Sequence, residues 1–188
     1  MRKKRCAWAR NPLAIAYHDR EWGVPVRDDQ RLFEFLILEG AQAGLSWDTI
    51  LAKRENYRKA FAGFDPRKIS RFGVSKRNSL MKNAGIVRNR QKIESAVVNA
   101  KCFLALQKEC GSFSAYLWKY VDGKPLRNRP GPKARLPART RLSDALSKDL
   151  KQRGFKFVGS TIMYAYLQAT GLVDDHMRGC FRARKDGK

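Results

Sequence analysis

Apolar side chains recur at helical spacing along most of the chain. Leu32, Phe35, Leu36 and the acidic Glu39 share one face of a segment that Asp28 or Asp29 can cap and that runs to about Ala43. Ser46 can cap the next helix, through Leu51, Tyr57 and Phe61, and Asp65-Pro66 places a cap before proline at a first helical position. The clearest period runs from Arg88 to Leu106, with Ile93, Ala96, Val97, Ala100, Phe103 and Leu104 on one face. Ser112 can start a helix that carries Phe113, Tyr116, Leu117 and Tyr120, and Ser143 one that carries Leu146 and Leu150. Ser160 or Thr161 can cap the last, which Gly171 ends. Strand-like alternation is scarce, and Phe155-Lys-Phe157 is too short to count. The pattern predicts an all-α fold with one broad core, no internal repeat and a single unit over residues 1–188.

One segment breaks the periodicity. Residues 123–141 hold four of the seven prolines, and residues 124–141 hold seven basic side chains and no acid, which predicts an exposed, extended basic loop. Residues 67–92 carry nine basic side chains, again with no acid. Across 188 residues, 40 Lys and Arg against 17 Asp and Glu leave a formal charge of +23. Such density points to a polyanion, with nucleic acid ahead of a membrane surface because the basic stretches do not form one amphipathic helix. Residues 1–5 form a basic arm and 181–188 a basic tail. The arm resembles the start of a signal peptide, but Arg10 and Asn11 break the apolar run that a signal peptide needs next, so a cytosolic protein without a membrane span is expected.

Four cysteines and two histidines complete the chemistry. Cys6 precedes His18 by twelve positions, and His176 precedes Cys180 by four, one helical turn. Two thiolates and two imidazoles suit tetrahedral zinc, and four protein ligands leave no position for water, so such an ion would be structural. An ordinary helix pair with a stray thiol is the alternative. Cys102 and Cys110 read as structural thiols.

Trp8, Tyr17, Trp22 and Trp47 cluster in the first 47 residues. Core packing accounts for any one of them; together, in a basic protein, they suggest a pocket that stacks on a base. Glu39 occupies a position where a core residue is expected. A buried carboxylate must be ion-paired, neutral or functional, and the pattern alone does not choose.

These residues carry a resemblance. Cys6-Ala-Trp8, Tyr17-His-Asp-Arg-Glu-Trp-Gly-Val-Pro25, Leu38-Glu-Gly-Ala-Gln-Ala-Gly-Leu-Ser-Trp47, Lys53-Arg-Glu-Asn-Tyr57, Asp144-Ala-Leu-Ser-Lys148 and Arg153-Gly-Phe-Lys-Phe-Val-Gly159 resemble the type I DNA-3-methyladenine glycosylases, in order and spacing, from about residue 6 to residue 180. The resemblance implies a helix-hairpin-helix glycosylase fold and monofunctional hydrolysis of the N-glycosidic bond of 3-methyladenine in alkylated double-stranded DNA, by a monomer in a bacterial-type cytosol or nucleoid. It implies one structural zinc on Cys6, His18, His176 and Cys180, joining the two ends of the chain. The implied base pocket comprises Glu39, Tyr17 and Trp47, with Trp22 and Trp8 nearby, and Glu39 is the one candidate for a catalytic role. The implied hairpin spans residues 151–161, where Gly154, Lys156 and Gly159 would meet DNA, with residues 84–86 as a second backbone contact. Leu45 is a candidate wedge for the gap left by a flipped base, or an ordinary capping contact. Asp174 and Asp175 are not assigned to catalysis.

The chain departs from the family pattern in three places. Some members carry an aromatic where this chain has Ala14, so one pocket wall is expected to be thinner. Four residues separate Gly154 from Gly159, where the wider superfamily often has one. Much of the loop 124–141 looks particular to this sequence. A non-enzymatic, zinc-stabilised nucleic-acid-binding module fits the charge and the metal pattern equally well; only Glu39 among the aromatics speaks against it.

Overall fold

The computed structural model describes residues 3–183, so part of the basic arm and residues 184–188 of the basic tail lie outside the described residues. Among the described residues the chain forms α1 (Pro12–Arg20), α2 (Asp29–Gln42), α3 (Trp47–Ala60), α4 (Pro66–Ile69), α5 (Val74–Lys82), α6 (Arg90–Cys110), α7 (Phe113–Trp118), α8 (Arg141–Gln152) and α9 (Ser160–Ala169). Two further segments, β1 (Leu126–Arg127) and β2 (Val173–Asp174), pair in parallel. The fold is thus mostly helical rather than purely so. Two helices, α1 and α5, fall outside the sequence-predicted set.

Polar side chains set most helix starts. Asn11, Asp28, Ser46, Asp65, Asn89 and Ser112 each accept a backbone N–H of the first turn they precede. Asp29 does different work: its carboxylate accepts the Phe113 and Ser114 amides, both at 2.8 Å, and so ties α2 to the start of α7. Helix α8 begins at Arg141 rather than Ser143, because Thr140 is the cap and Ser143 returns the bond to the Thr140 amide. At α9 the cap is Gly159, without a side-chain bond; Ser160 instead pairs with Ser143 through their hydroxyls.

Helix α2 is buried on every side from Leu32 to Ala41 and runs through the core, against α3, α6, α7 and α9. Two glutamates ride on it into the interior. Glu34 is neutralised there: it accepts from Arg54 at 2.6 Å and from Arg58 at 2.7 Å, while Arg54 also reaches Glu21 at 2.8 Å. The ion pair that sequence reasoning offered as one explanation of Glu39 is therefore made by Glu34.

The loop 123–141 is exposed along most of its length but not free. Leu126 donates to Leu172 O (2.8 Å), Asn128 to Asp174 O (3.1 Å), and Arg178 to Pro130 O (2.9 Å), so the loop is laced to the chain just after α9. That segment turns at Gly171, whose φ is +71°. A Cβ there would lie 2.3 Å from the Val24 carbonyl carbon. Gly171→Ala should destabilise the protein by about 3 kcal/mol, through overlap with backbone and a left-handed φ. The check is a lower urea midpoint at unchanged m-value.

Candidate active site

Trp8, Tyr17, Trp22, Glu39 and Trp47 line one pocket of about 330 Å³. Helix α1 supplies Tyr17, α2 supplies Glu39, and the first residue of α3 is Trp47. The Tyr17 and Trp47 rings stand 5.4 Å apart and those of Trp8 and Trp22 5.1 Å apart. Each pair packs in direct contact, tilted by 53° and 75°, so the four rings turn flat, apolar surface toward the pocket. Ala14 is buried on α1 and is not among the residues lining the pocket.

Glu39 is 4% exposed and makes no hydrogen bond or ion pair to any described residue. Burial alone pushes its carboxyl up to about 8. Tyr17 is buried as well; burial first, then the neighbouring Glu39, hold its phenol well above its usual range and keep it a hydrogen-bond donor. The indole Nε1 of Trp47 is buried without a partner. Sequence reasoning missed four further lining residues, Gln42, Leu136, Ala165 and Gln168. Nothing in the local pattern marks them, since three come from the loop and from α9, more than 80 residues beyond Trp47.

Behind two of the aromatics lies the cysteine–histidine cluster. Ligand atoms of Cys6, His18 and Cys180 all lie within 4.8 Å of one another, a group able to hold a metal ion. His176 stands beside them, its ring centroid 5.1 Å from that of His18. Its Nε2 is buried with no partner, while Nδ1 is held by Asp174 at 2.7 Å. The Nδ1 of His18 is likewise held, by Asp19 at 2.9 Å. Both imidazoles are therefore fastened by a carboxylate at Nδ1; the Nε2 of His18 lies 3.4 Å from Cys180 Sγ, while that of His176, outside the three-residue group, has no partner. Burial lowers the His18 pKa below its usual value, which keeps it neutral and able to ligate, and raises the Cys6 thiol to about 12 in the bare polypeptide. The aspartates are visible in the sequence as His18-Asp19 and Asp174-x-His176. The Trp22 ring packs 4.6 Å from His176 and the Trp8 ring 5.3 Å from His18, so the cluster backs the pocket wall.

The remaining candidates sit on two turns flanking α2. Leu45 is 38% exposed in the turn after α2, which Lys92 fastens by donating to Ala41 O and Ala43 O at 2.8 and 2.6 Å. Gly154, Lys156 and Gly159 lie in the connection between α8 and α9. Gly154, at φ +90°, closes α8: its amide bonds Lys151 O, and that of Phe155 bonds Leu150 O. Asn99 of α6 clamps the turn at both polar atoms of Lys156's backbone, at 2.8 and 2.9 Å. Phe155 and Val158 are buried beneath it. A Cβ on Gly40 would stand 3.3 Å from Phe157, so the glycine after Glu39 lets this turn pack onto the pocket helix.

The fold and pocket define a mostly helical protein with an aromatic-walled, acid-bearing pocket, and comparison with known proteins makes that class specific. The methyladenine glycosylase family model matches residues 7–183, and the chain belongs to that family. It is 49% identical over 178 residues to the DNA-3-methyladenine glycosylase of Haemophilus influenzae, covering 94% of this chain and 96% of that protein. Among solved structures, a 3-methyladenine DNA glycosylase I is 49% identical, with a TM-score of 0.93 over 96% of this chain and 100% of the other. A variant of a 3-methyladenine DNA glycosylase I in complex with 3-methyladenine is 38% identical, with a TM-score of 0.93 over 97% and 99% of the two chains.

Proposed function

We propose that this chain is a monofunctional DNA-3-methyladenine glycosylase of base-excision repair, acting as a single unit on alkylated double-stranded DNA. One observation carries the reading beyond family membership: a buried, unpartnered carboxylate, Glu39, in a pocket walled by flat rings. A protein that only binds nucleic acid has no use for such a group. The test is release of free 3-methyladenine from N-methylated duplex DNA, and its absence would leave a binding module.

The chemistry asks little of the protein at the leaving group. Methylation at N3 makes the attached adenine cationic, so it departs as a neutral base. The pocket has to select the flipped base, hold it and admit water. Tyr17 and Trp47 stack on the ring; Glu39 accepts an N–H of the base's amine and, as a carboxylate, favours a cationic purine over unmodified adenine. The sugar develops positive charge as the bond breaks, and DNA phosphates together with Glu39 stabilise it. Leu45, exposed on its fastened turn, fills the gap in the duplex. Helices α8 and α9 with the turn bearing Gly154, Lys156 and Gly159 form the helix-hairpin-helix element that meets the backbone.

Cys6, His18, His176 and Cys180 would hold one zinc ion. The orphaned Nε2 of His176 and the carboxylate-fastened imidazoles fit that set. The ion supplies no chemistry to the reaction; it joins the chain ends behind Trp8 and Trp22.

The basic loop adds non-specific affinity. Lys124, Lys133 and Arg135 are exposed on it. Replacing all three by alanine should reduce the slope of log affinity against log salt by about 0.9 for each phosphate that the loop no longer neutralises. An unchanged slope would show that the loop does not touch phosphate.

A further inference from the structure

Asp175 is 1% exposed and accepts three hydrogen bonds: Tyr164 Oη at 2.5 Å, Gln168 Nε2 at 2.7 Å and Asn128 Nδ2 at 2.7 Å. Oδ2 takes the Tyr164 and Gln168 donors and Oδ1 the Asn128 donor, so protein groups hold the carboxylate in place. Its effect falls on Gln168. A carboxylate accepts only, so it fixes which end of the Gln168 amide faces it: the NH₂ group turns to Asp175 and Oε1 is left over. Gln168 also lines the base pocket. From the Gln168 contact with Asp175 we infer that Gln168 is a specificity-determining residue of that pocket, offering Oε1 as a neutral acceptor to the exocyclic amine of the bound purine. This inference rests on the base-pocket reading above.

Donors and acceptors set the selectivity. An amine at position 6 carries two N–H donors, and Glu39 takes one. A second acceptor opposite a 6-amino group gains a hydrogen bond; opposite a 6-oxo group it faces another acceptor, and a desolvated pair of acceptors is costly. The pocket therefore takes N3-alkylated 6-aminopurines and turns away 6-oxopurines. Its selectivity depends on Asp175, which Tyr164 of α9 and Asn128 of the basic loop hold in place. The loop thus serves the pocket twice, through Asn128 behind Gln168 and through Leu136 on the wall.

The experiment is calorimetric titration of 3-methyladenine and 3-methylhypoxanthine, which differ in the 6-amino and 6-oxo groups, into the wild type and Gln168→Met. The wild type should prefer the amino base, and Gln168→Met should lose about tenfold of that preference, mainly by weaker binding of 3-methyladenine. Gln168→Asn, which keeps the amide but shortens its reach, should lose it too. A wild type without preference, or variants that retain it or weaken both bases equally, overturns the inference while leaving the pocket in place. A wild type that binds neither base overturns the pocket reading and this inference together.

Discussion

Glu39→Gln should weaken binding of free 3-methyladenine by about 1–3 kcal/mol, the scale of a charge-assisted hydrogen bond, and should make the folded protein more stable. The two effects have one cause. Burial holds the Glu39 carboxyl at about 8, well above its ordinary value of 4.5. The folded protein therefore keeps a proton that the unfolded chain gives up, and stability falls as pH rises from about 4.5 to about 8. A neutral amide carries no such cost. The variant should match wild type near pH 4 and exceed it near pH 8 by on the order of 5 kcal/mol, since each pH unit between the unfolded and folded pKa is worth about 1.4 kcal/mol. Thermal melts across that range read the stability, and titrations of 3-methyladenine read the binding. In two buffers of different ionisation enthalpy, wild type should release a proton on binding and Glu39→Gln none. Equal affinities for the base would mean that it is read elsewhere.

Cys6→Ala or His176→Ala should abolish zinc binding and cost on the order of 5 kcal/mol of stability. That is a fraction of the roughly 10–16 kcal/mol typical of isolated zinc peptides, because here a core already exists. The base that is cut should not change, since α2 and Glu39 do not depend on the clasp. Affinity for the base should fall, because Trp8 and Trp22 lean on His18 and His176. Elemental analysis of metal-replete protein should find one zinc per chain, and none in either variant. No zinc in the wild type would refute the clasp.

Much of this was readable from residues alone, for identifiable reasons. Helix starts were legible where a polar cap preceded a clear apolar period, as at Ser46, Asp65 and Ser112, but not at Asn11, which caps the short α1. They slipped where two residues shared the work, as Thr140 and Ser143 do. Glu39 stood out because an acid occupied an apolar position. Glu34, buried on the same helix, did not, because its partners Arg54 and Arg58 lie a helix away. The aromatic half of the pocket is local in sequence and was visible as a cluster. The other half arrives through Leu136 and Gln168, whose places depend on a two-residue parallel pairing and on a buried aspartate, and neither leaves a periodic trace.

The division of the pocket between the two ends of the chain has a consequence for how the protein is made. His18 and Cys180 lie 162 positions apart, with Nε2 and Sγ separated by 3.4 Å. At about 5–20 residues per second, a ribosome needs on the order of ten seconds or more to supply the second after the first. Through that interval Cys6 and His18 lack Cys180, and the Trp22 ring lacks the His176 ring that it packs against. Capture of the free base is therefore among the last properties the molecule acquires, appearing only once α9 and the residues after it emerge and dock.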